Sequence, residues 1–189
     1  MSAFTERLKN VKLVKKLVYA IVGLASYPGI ALVNKLKISG TEHLNNLPKQ
    51  NVLIVSNHQT YFADVVAMFH VFNASLSGRE DNIKNIGYLW KPKLNMYYVA
   101  AKETMQSGIL PRLMAYVGAI TVERTWRANG QDVKREVNVN DTENIKIALQ
   151  DGWVITFPQG TTKSFKPVRK GTAHIIKTHR PIVVPIVID

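Results

Sequence analysis

Apolar runs alternate with amphipathic stretches along most of the chain. The run Asn51–Asn57 is continuous and rich in β-branched residues, which predicts a strand buried on both faces. Apolar positions in residues 58–72 then follow helical spacing. Further strands are predicted at Gly118–Arg124, at the start of residues 153–162 and in the apolar C-terminal stretch. Strands that alternate with helices predict an α/β domain with a mostly parallel central sheet flanked by helices.

The remaining segments are predicted from their polarity and turn residues. Residues 142–152 have the spacing of an amphipathic helix, with Asp141 or Thr142 at its start and Gly152 past its end. Elsewhere the pattern predicts a short strand and turn (37–44), a loop (73–85), a strand-like stretch (87–103), a helix (109–118) and a mobile polar stretch (125–141).

The N-terminal segment combines basic charge with a long apolar run. Residues 1–16 are basic and amphipathic, and Leu17–Val33 has no charged residue before Lys35 and Lys37 follow. Seventeen residues lie at the short limit for a bilayer-spanning helix, and Pro28–Gly29 is expected to break the run. We therefore predict two short apolar helices that enter one leaflet, with basic flanks among anionic headgroups.

Two other interpretations of this segment stay open. A cleaved signal peptide would share the basic start, although residues 25–28 (Ala-Ser-Tyr-Pro) are a poor cleavage context. A buried pair of core helices would show the same apolar run. Under the membrane interpretation, residues 1–36 form a membrane-associating helical segment and residues 37–189 form the main domain.

Composition narrows the functional classes. The chain has 189 residues, enough for one domain with a sizeable core, and 46% of them are hydrophobic, as in globular proteins. It has no cysteine, which excludes thiol catalysis, disulfides and cysteine-bound metal. The net charge of +12 favours an anionic partner: nucleic acid, an anionic bilayer or an acidic carrier protein. We expect no nucleic-acid partner, because the chain lacks a recognised aromatic–basic pattern and carries the apolar N-terminus.

The most informative polar cluster follows the strand predicted at residues 51–57. His58 leaves the carboxyl end of that strand, where α/β sheets place their sites, and Asp64 follows where the next helix begins. If the loop folds back, Asp64 can accept a hydrogen bond from the imidazole, orient the ring and stabilise the imidazolium that forms. His58 would then act directly on a substrate hydroxyl, since no serine or cysteine stands in a nucleophile-elbow context. The alternative is that His58 caps the helix and Asp64 is solvated.

The other histidines give no indication of a metal site. His43, His70, His174 and His179 show no paired ligand spacing. The chain also has no nucleotide-binding glycine loop. We therefore expect neither a metal nor a bound cofactor.

Four blocks of sequence together resemble the motifs of a known family. Their order and spacing are similar to those of the glycerolipid acyltransferases, and especially of the 1-acyl-sn-glycerol-3-phosphate (lysophosphatidic acid) acyltransferases. The resemblance covers about residues 35–189, and the apolar basic N-terminus is similar to the family's membrane motif. It implies the glycerolipid acyltransferase fold for the main domain. The blocks are Asn57-His58 with Asp64, Gly118–Arg124, Phe157–Thr162 and Val184-Pro185-Ile186.

The resemblance implies a one-step acyl transfer. In such enzymes the histidine is the base and the aspartate orients it, roles that carry over to His58 and Asp64. The arginine of the second motif binds the acceptor phosphate, which corresponds to Arg124; a guanidinium suits this task through its bidentate geometry. The glycine of the third motif, here Gly160, lets the backbone approach the acceptor. The proline of the fourth, here Pro185, is associated with the acyl-donor side.

Two departures from the family pattern stand out. Five residues separate His58 from Asp64 instead of four, and on a helix one extra residue turns the acid by about 100°. The pairing survives only if that residue lies in the loop or in a bulge before the helix. The third motif usually reads Phe-Pro-Glu-Gly-Thr-Arg, whereas this chain has Gln159 and Thr162, which remove a negative charge and a phosphate ligand. The predicted substrate-binding residues are Asn57, Arg124, Gln159, Gly160, Thr161 and Lys163, the last as a substitute for the missing arginine.

The motifs lead to a specific expectation about function. The chain is expected to transfer a fatty acyl group from acyl-CoA or acyl-carrier protein to the free hydroxyl of 1-acyl-glycerol-3-phosphate, giving phosphatidic acid in phospholipid biosynthesis. The alternatives are transfer to another lysolipid or an aminoacyl lipid, and a catalytically silent lipid-binding relative. We expect it at the cytoplasmic face of a membrane, with membrane lipids as partners. Because relatives usually continue past the fourth motif, we expect the chain to be truncated at its C-terminus.

Overall fold

A parallel sheet forms the centre of the fold, and helices cover both of its faces. The computed structural model describes residues 12–106, 108, 111, 114, 115, 118–123, 127, 128, 131, 132, 139–163 and 165–189. The strands are β1 (Val52–Ser56), β2 (Met96–Ala101), β3 (Ala119–Val122), β4 (Arg127–Ala128), β5 (Gln131–Asp132), β6 (Trp153–Thr156) and β7 (Ile182–Ile186).

Five of these strands form one sheet in the order β3, β2, β6, β1, β7, and every neighbouring pair is parallel. Strand β1 lies between β6 and β7, with Val52 opposite both Trp153 and Ile182. The short strands β4 and β5 pair separately as an antiparallel hairpin. The predicted α/β fold with a parallel central sheet is therefore confirmed.

The helices connect these strands. The α-helices are α1 (Lys12–Tyr27), α2 (Tyr61–Leu76), α3 (Lys102–Gln106), α4 (Val139–Asp151) and α5 (Lys170–His179). The shorter turns are a π-helix (Pro28–Val33) and two 3₁₀ helices (Thr41–Leu44 and Ile86–Trp90).

Strand β1 is apolar throughout because both of its faces are buried. Val52 and Ile54 belong to the core that α1 and α2 cover, which also contains Phe72. Leu53 points to the other face, where it belongs to the core that contains Leu149 of α4 and Ile175 of α5. Continuous apolar strands are the expected signature of a sheet covered on both sides.

The turn from α4 into β6 requires glycine. A Cβ atom on Gly152 would lie 1.8 Å from the carbonyl oxygen of Asn95, which no side chain can accommodate. The backbone N–H of Trp153, the next residue, donates to that same carbonyl at 3.1 Å. The prediction that Gly152 follows the helix is confirmed, and the close approach of two backbones explains it.

The predictions for two segments were wrong, because side chains make hydrogen bonds there that the apolar pattern does not reveal. Residues 37–44 contain no strand; they end in the 3₁₀ helix, where Thr41 donates to Asp81 Oδ1 from its N–H (3.0 Å) and its hydroxyl (2.8 Å). The loop predicted from residue 73 begins later, because α2 continues to Leu76. Its polar residue Asn73 is buried and donates to the carbonyl of Phe69 at 2.8 Å.

Other helix boundaries also differ from the predictions. Helix α4 begins at Val139, so neither Asp141 nor Thr142 caps it, and the Asp141 carboxylate instead accepts the N–H of Glu123 at 2.9 Å. Helix α5 was not predicted, since only Thr172 and Ile175 of its ten residues are buried and the apolar pattern is weak. Within residues 87–103 the strand is limited to β2. The predictions for residues 109–118 and 125–141 fall largely outside the described residues.

The N-terminal helix does not break at proline as predicted. Helix α1 ends at Tyr27 and passes directly into the π-helix Pro28–Val33. In that turn the N–H of Asn34 reaches back five residues to the carbonyl of Gly29 at 2.9 Å. The wider turn accommodates a residue that has no N–H to donate, so the chain stays helical.

The helical stretch Val14–Val33 is long and apolar enough to cross a bilayer by length and composition alone. Only 22% of its most apolar window is buried, unlike a helix in the middle of a soluble core. One face nevertheless packs onto the domain: Val18, Tyr19 and Ile30 belong to the same core cluster as β1.

Candidate active site

The candidate site lies at the carboxyl edge of the sheet. Since all five strands are parallel, the segments that follow β1, β6 and β7 leave the sheet at the same edge. The first and third motifs lie in the segments after β1 and β6, and the fourth motif forms the carboxyl end of β7 itself. Topology therefore brings together residues that are more than a hundred positions apart in the chain.

His58 and Asp64 form a hydrogen-bonded pair at this edge. His58 Nδ1 lies 2.7 Å from Asp64 Oδ2. The aspartate side chain is 4% exposed and that of the histidine 16% exposed. The distance falls within the range expected for a base and the carboxylate that orients it.

The extra residue between the pair is absorbed before the helix. Thr60 is extended (φ −137°, ψ 126°), and α2 begins only at Tyr61, so Asp64 lies in the first turn of the helix. From there its carboxylate reaches back over the loop and accepts the N–H groups of Gln59 (2.7 Å) and Thr60 (3.0 Å). The loop geometry that the pairing of His58 with Asp64 requires is therefore present.

These contacts fix which nitrogen of His58 carries the proton. Asp64 Oδ2 already accepts two backbone N–H groups, and Oδ1 accepts the hydroxyl of Thr60 at 2.6 Å. An oxygen that serves as an acceptor requires Nδ1 of His58 to be the donor, so Nε2 keeps its lone pair. Nε2 makes no hydrogen bond to another described residue, which leaves it available as a base.

Phe157 holds the imidazole ring from one side. The two rings stack with centroids 4.1 Å apart and an interplanar angle of 19°. Phe157 directly follows β6 and is half-buried. Packing therefore restricts the ring while the carboxylate sets its rotation. Phe157 belongs to the third motif, but no role was predicted for its ring, because a contact between segments that follow different strands gives no local signal in a sequence.

Asn57 joins the first motif to the end of β7. Its amide donates from Nδ2 to the carbonyl of Ile188 at 2.6 Å and accepts the N–H of Ile188 on Oδ1 at 2.7 Å. Gln59 Nε2 also lies 3.3 Å from that carbonyl. Asn57 thus bonds the chain's own backbone and fixes the loop that carries His58. The substrate-binding role predicted for Asn57 stays a prediction.

The third motif forms a turn beside this pair. Gly160 has φ 62°, a left-handed conformation that favours glycine, and its N–H donates to the carbonyl of Phe157 at 2.9 Å. The hydroxyl of Thr161 accepts the N–H of Lys163 at 3.2 Å. Gln159 does not point freely into the site, because its Nε2 donates to the carbonyl of Lys166 at 2.9 Å.

The segment after this turn is strongly basic and exposed. Phe165 is 101% exposed, and Val168 is 71% exposed. The segment is tied back where the N–H of Arg169 donates to the carbonyl of Pro158 at 2.8 Å. Cations are concentrated here at the edge of the sheet: Lys163, Lys166, Arg169 and Lys170.

Arg124, the predicted phosphate ligand, lies outside the described residues. Its predecessor Glu123 is described: it follows β3, is held by the Asp141 carboxylate and pairs with Lys102 at 3.3 Å. The described part of the second motif, up to Glu123, therefore ends at the same edge of the sheet as His58. Pro185 of the fourth motif lies in β7, opposite Val55.

A small apolar cavity lies on the α1 and α2 side of the sheet, away from these residues. Its volume is about 30 Å³, and its lining includes Tyr19, Val65, Phe69 and Ile155. None of the predicted site residues lines it. Within the described part of the chain, no three histidine, aspartate or glutamate side chains are grouped to hold a metal ion.

The fold and this site define a class: an α/β protein with an oriented histidine at the carboxyl edge of a parallel sheet. The chain belongs to the acyltransferase family, because the family model described as Acyltransferase matches residues 35–189. Neither a curated protein nor a solved structure matches the chain significantly. Membership in this family indicates that the protein transfers an acyl group to a lipid.

Proposed function

We propose that this protein transfers a fatty acyl group from acyl-CoA or acyl-carrier protein to the free hydroxyl of 1-acyl-glycerol-3-phosphate, which gives phosphatidic acid for phospholipid biosynthesis. The observation that carries the proposal is the 2.7 Å contact between His58 Nδ1 and Asp64 Oδ2, with Nε2 left as an acceptor. No resident cofactor or metal is needed, since the thioester is already activated.

The proposed reaction is a single displacement. His58 Nε2 takes the proton of the acceptor hydroxyl as that oxygen attacks the thioester carbonyl carbon. The carbon–sulfur bond then breaks, and the imidazolium returns its proton to the leaving thiolate. Asp64 remains hydrogen-bonded to Nδ1 throughout and stabilises the transient positive charge.

The acceptor phosphate is proposed to bind toward β3. Three strand spacings separate β1 from β3 in the sheet order, which corresponds to roughly 14 Å. Arg124 follows Glu123 at the end of β3, and the cations after Gly160 follow the intervening strand β6. A glycerol phosphate with its hydroxyl at His58 would therefore extend along this edge toward positive charge.

A second acceptor class is favoured by the third motif. The amide of Gln159 is used to hold the basic segment through Lys166, and Thr162 stands where an arginine is usual in relatives. Both features alter the region that would recognise the acceptor headgroup, so another lysolipid or an aminoacyl lipid is the runner-up. The extra residue that suggested a catalytically silent relative does not separate His58 from Asp64, which weakens that alternative.

The proposal is tested by thiol release from a long-chain acyl-CoA in the presence of 1-acyl-glycerol-3-phosphate. We expect turnover that His58→Ala reduces by about 10²–10⁴-fold, the usual contribution of a general base. His43→Ala is the matched control, because that side chain is 79% exposed and lies outside the site. Equal rates in wild type and His58→Ala would end the assignment of His58 as the base.

The same assay distinguishes the acceptors. The full chain is given a panel of lysolipids that share the free hydroxyl but differ in headgroup, together with an aminoacyl lipid. A preference for 1-acyl-glycerol-3-phosphate supports the first proposal, and a preference for another headgroup supports the runner-up. Thiol release with none of them would leave a lipid-binding relative as the better description.

The protein is proposed to act at the cytoplasmic face of a membrane, where lysophospholipid and acyl thioester meet. The support is the exposed apolar surface of α1 and the excess of cations, which both suit an anionic leaflet.

A further inference from the structure

Helix α1 has two faces with different surroundings. Val14, Leu17, Ile21 and Leu24 recur at spacings of three and four residues, so they share one face, and each is about half exposed or more. A helix that exposes a row of large apolar side chains lacks a partner on that face.

The opposite face of α1 packs against the domain. The Lys15 ammonium is buried, lies 4.4 Å from the centroid of the Tyr97 ring and approaches the carbonyl of Met96 at 3.5 Å. Further along, Ser26 Oγ lies 2.9 Å from His70 Nε2 of α2. If the helix crossed a bilayer alone, these polar contacts would have to be broken. The contacts therefore place α1 along the surface of the domain.

The 3₁₀ helix Ile86–Trp90 packs directly against α1. A Cβ atom on Gly23 would lie only 2.7 Å from Leu89 Cδ1, so the two segments are in close contact at that point. Leu89 and its neighbour Tyr88 are buried. Trp90 follows them but is 81% exposed. The contact of Leu89 with α1 thus fixes the backbone beside Trp90, whose indole is left exposed.

The surroundings of this apolar surface are basic. No acidic residue occurs between Glu6 and Glu42. Lys16 is exposed on α1, Lys35 and Lys37 are exposed just after the π-helix, and Lys91 is exposed directly after Trp90. Apolar side chains surrounded by cations are complementary to an anionic bilayer, in which tryptophan prefers the headgroup level.

We propose that Trp90, a residue of the main domain, anchors the protein at the headgroup level of an anionic bilayer while the exposed face of α1 contacts the acyl chains. The helix lies along the bilayer surface, and its other face stays on the domain. The membrane-binding surface is therefore composite and extends beyond the N-terminal segment. This inference does not depend on acyl transfer, so the two proposals can fail separately.

The test uses tryptophan fluorescence of the full chain in a Trp126→Phe background. Two tryptophans then remain: exposed Trp90 and Trp153, which is 1% exposed with its indole N–H bonded to the Pro48 carbonyl at 2.7 Å. On vesicles of phosphatidylcholine mixed with phosphatidylglycerol, we expect a blue shift, protection from acrylamide and quenching by bromine atoms near the headgroups. Removal of Trp90 by Trp90→Phe is expected to abolish all three changes.

Vesicle affinity gives an independent measurement. Trp90→Ala is expected to weaken partitioning about five- to twentyfold, because one large aromatic surface leaves the interface. Ile182→Ala is the matched control, since Ile182 is 46% exposed on the edge strand β7, three strands away from β2, which α1 contacts through Lys15, and it is expected to leave partitioning unchanged.

Three outcomes would overturn the proposal. The chain would not bind the mixed vesicles, or it would bind while Trp90 kept its emission in water. In the third case the blue shift would appear without lipid and grow with protein concentration, which would identify a second copy of the chain as the partner of this surface.

Discussion

Two histidines on either side of the start of α2 have opposite surroundings. His58 precedes the helix and bonds a carboxylate through one nitrogen, while the other makes no bond to a described residue. His70 lies within the helix, is 0% exposed and bonds through both nitrogens, to Ser26 Oγ at 2.9 Å and to Tyr88 Oη at 2.7 Å. In His58 one ring nitrogen keeps a lone pair that can accept a proton, whereas in His70 both ring nitrogens are used in hydrogen bonds that hold the fold.

The partners also determine what each ring can do with a proton. Ser26 Oγ already donates to the carbonyl of Val22 at 2.6 Å, so it accepts from His70 Nε2, and Tyr88 donates to Nδ1. His70 is thus held neutral between two hydroxyls. His58 faces a carboxylate, which can stabilise the charge that a base acquires. The catalytic role proposed for His58 therefore rests on the partners of its ring and not on its position alone.

The largest expected effect comes from Asp64→Asn. The amide oxygen would take the place of Oδ2, because that position accepts the N–H groups of Gln59 and Thr60, so Nδ1 would keep its proton but lose the negative charge that stabilises the imidazolium. We expect turnover in the thiol-release assay to fall by about 10²–10⁴-fold with the fold retained. Asp81→Asn is the matched control: Asp81 also accepts a backbone N–H and a threonine hydroxyl, both from Thr41, but lies away from the site. An equal loss in both variants would contradict a specific role for Asp64.

The next effect concerns His70 and the pH dependence of stability. Burial lowers the pKa of His70 to about 4, from an ordinary value of 6.5. Because the folded state binds the proton less well than the unfolded state, stability is fully present above pH 6.5 and decreases as the pH falls toward 4. Protonation of His70 is expected to lower the free energy of unfolding by up to about 3 kcal/mol.

Chemical denaturation measured across that pH range tests this assignment. His70→Gln keeps a donor toward Ser26 but cannot titrate, so its free energy of unfolding should vary less with pH than that of the wild type. The relevant neighbours on the packed elements are Tyr27 and Tyr88, with Arg79 5.0 Å from the Tyr88 ring centroid. Parallel pH profiles in the two proteins would show that another group causes the acid sensitivity.

Some features of the fold and of the site around His58 could be predicted from the sequence, and others could not. The strand at residues 52–56 and the pair His58 and Asp64 follow from local patterns: a β-branched apolar run, and an acid within one loop of a histidine. The bonds between Asn57 and Ile188, and the stacking of Phe157 on His58, depend on which strands are neighbours. Neighbour order is a property of the whole sheet, so no local window of sequence contains it.

The errors have similar causes. The break predicted at Pro28 assumed α-helical hydrogen bonding, whereas a π-turn accommodates the proline. The strand predicted near Thr41 does not form, because Thr41 instead bonds the carboxylate of Asp81, forty residues away in the chain. In both cases a specific hydrogen-bonding partner, invisible in the apolar pattern, outweighed the local preference.

The smallest effect is expected from Thr60→Val, which removes one hydrogen bond to Asp64 and little else. The hydroxyl of Thr60 donates to Asp64 Oδ1 at 2.6 Å, while its backbone N–H donates separately to Oδ2. Valine keeps the branched shape and suits the extended backbone, so the loop should persist with one donor fewer. A net contribution of about 1 kcal/mol predicts a fall of roughly fivefold in turnover. Thr41→Val is the control, because that hydroxyl donates to Asp81 at 2.8 Å, away from the site, and not to Asp64. If the two variants lose turnover equally, the precise orientation of Asp64 does not limit the reaction, and the contrast between His58 and His70 rests on the carboxylate's charge alone.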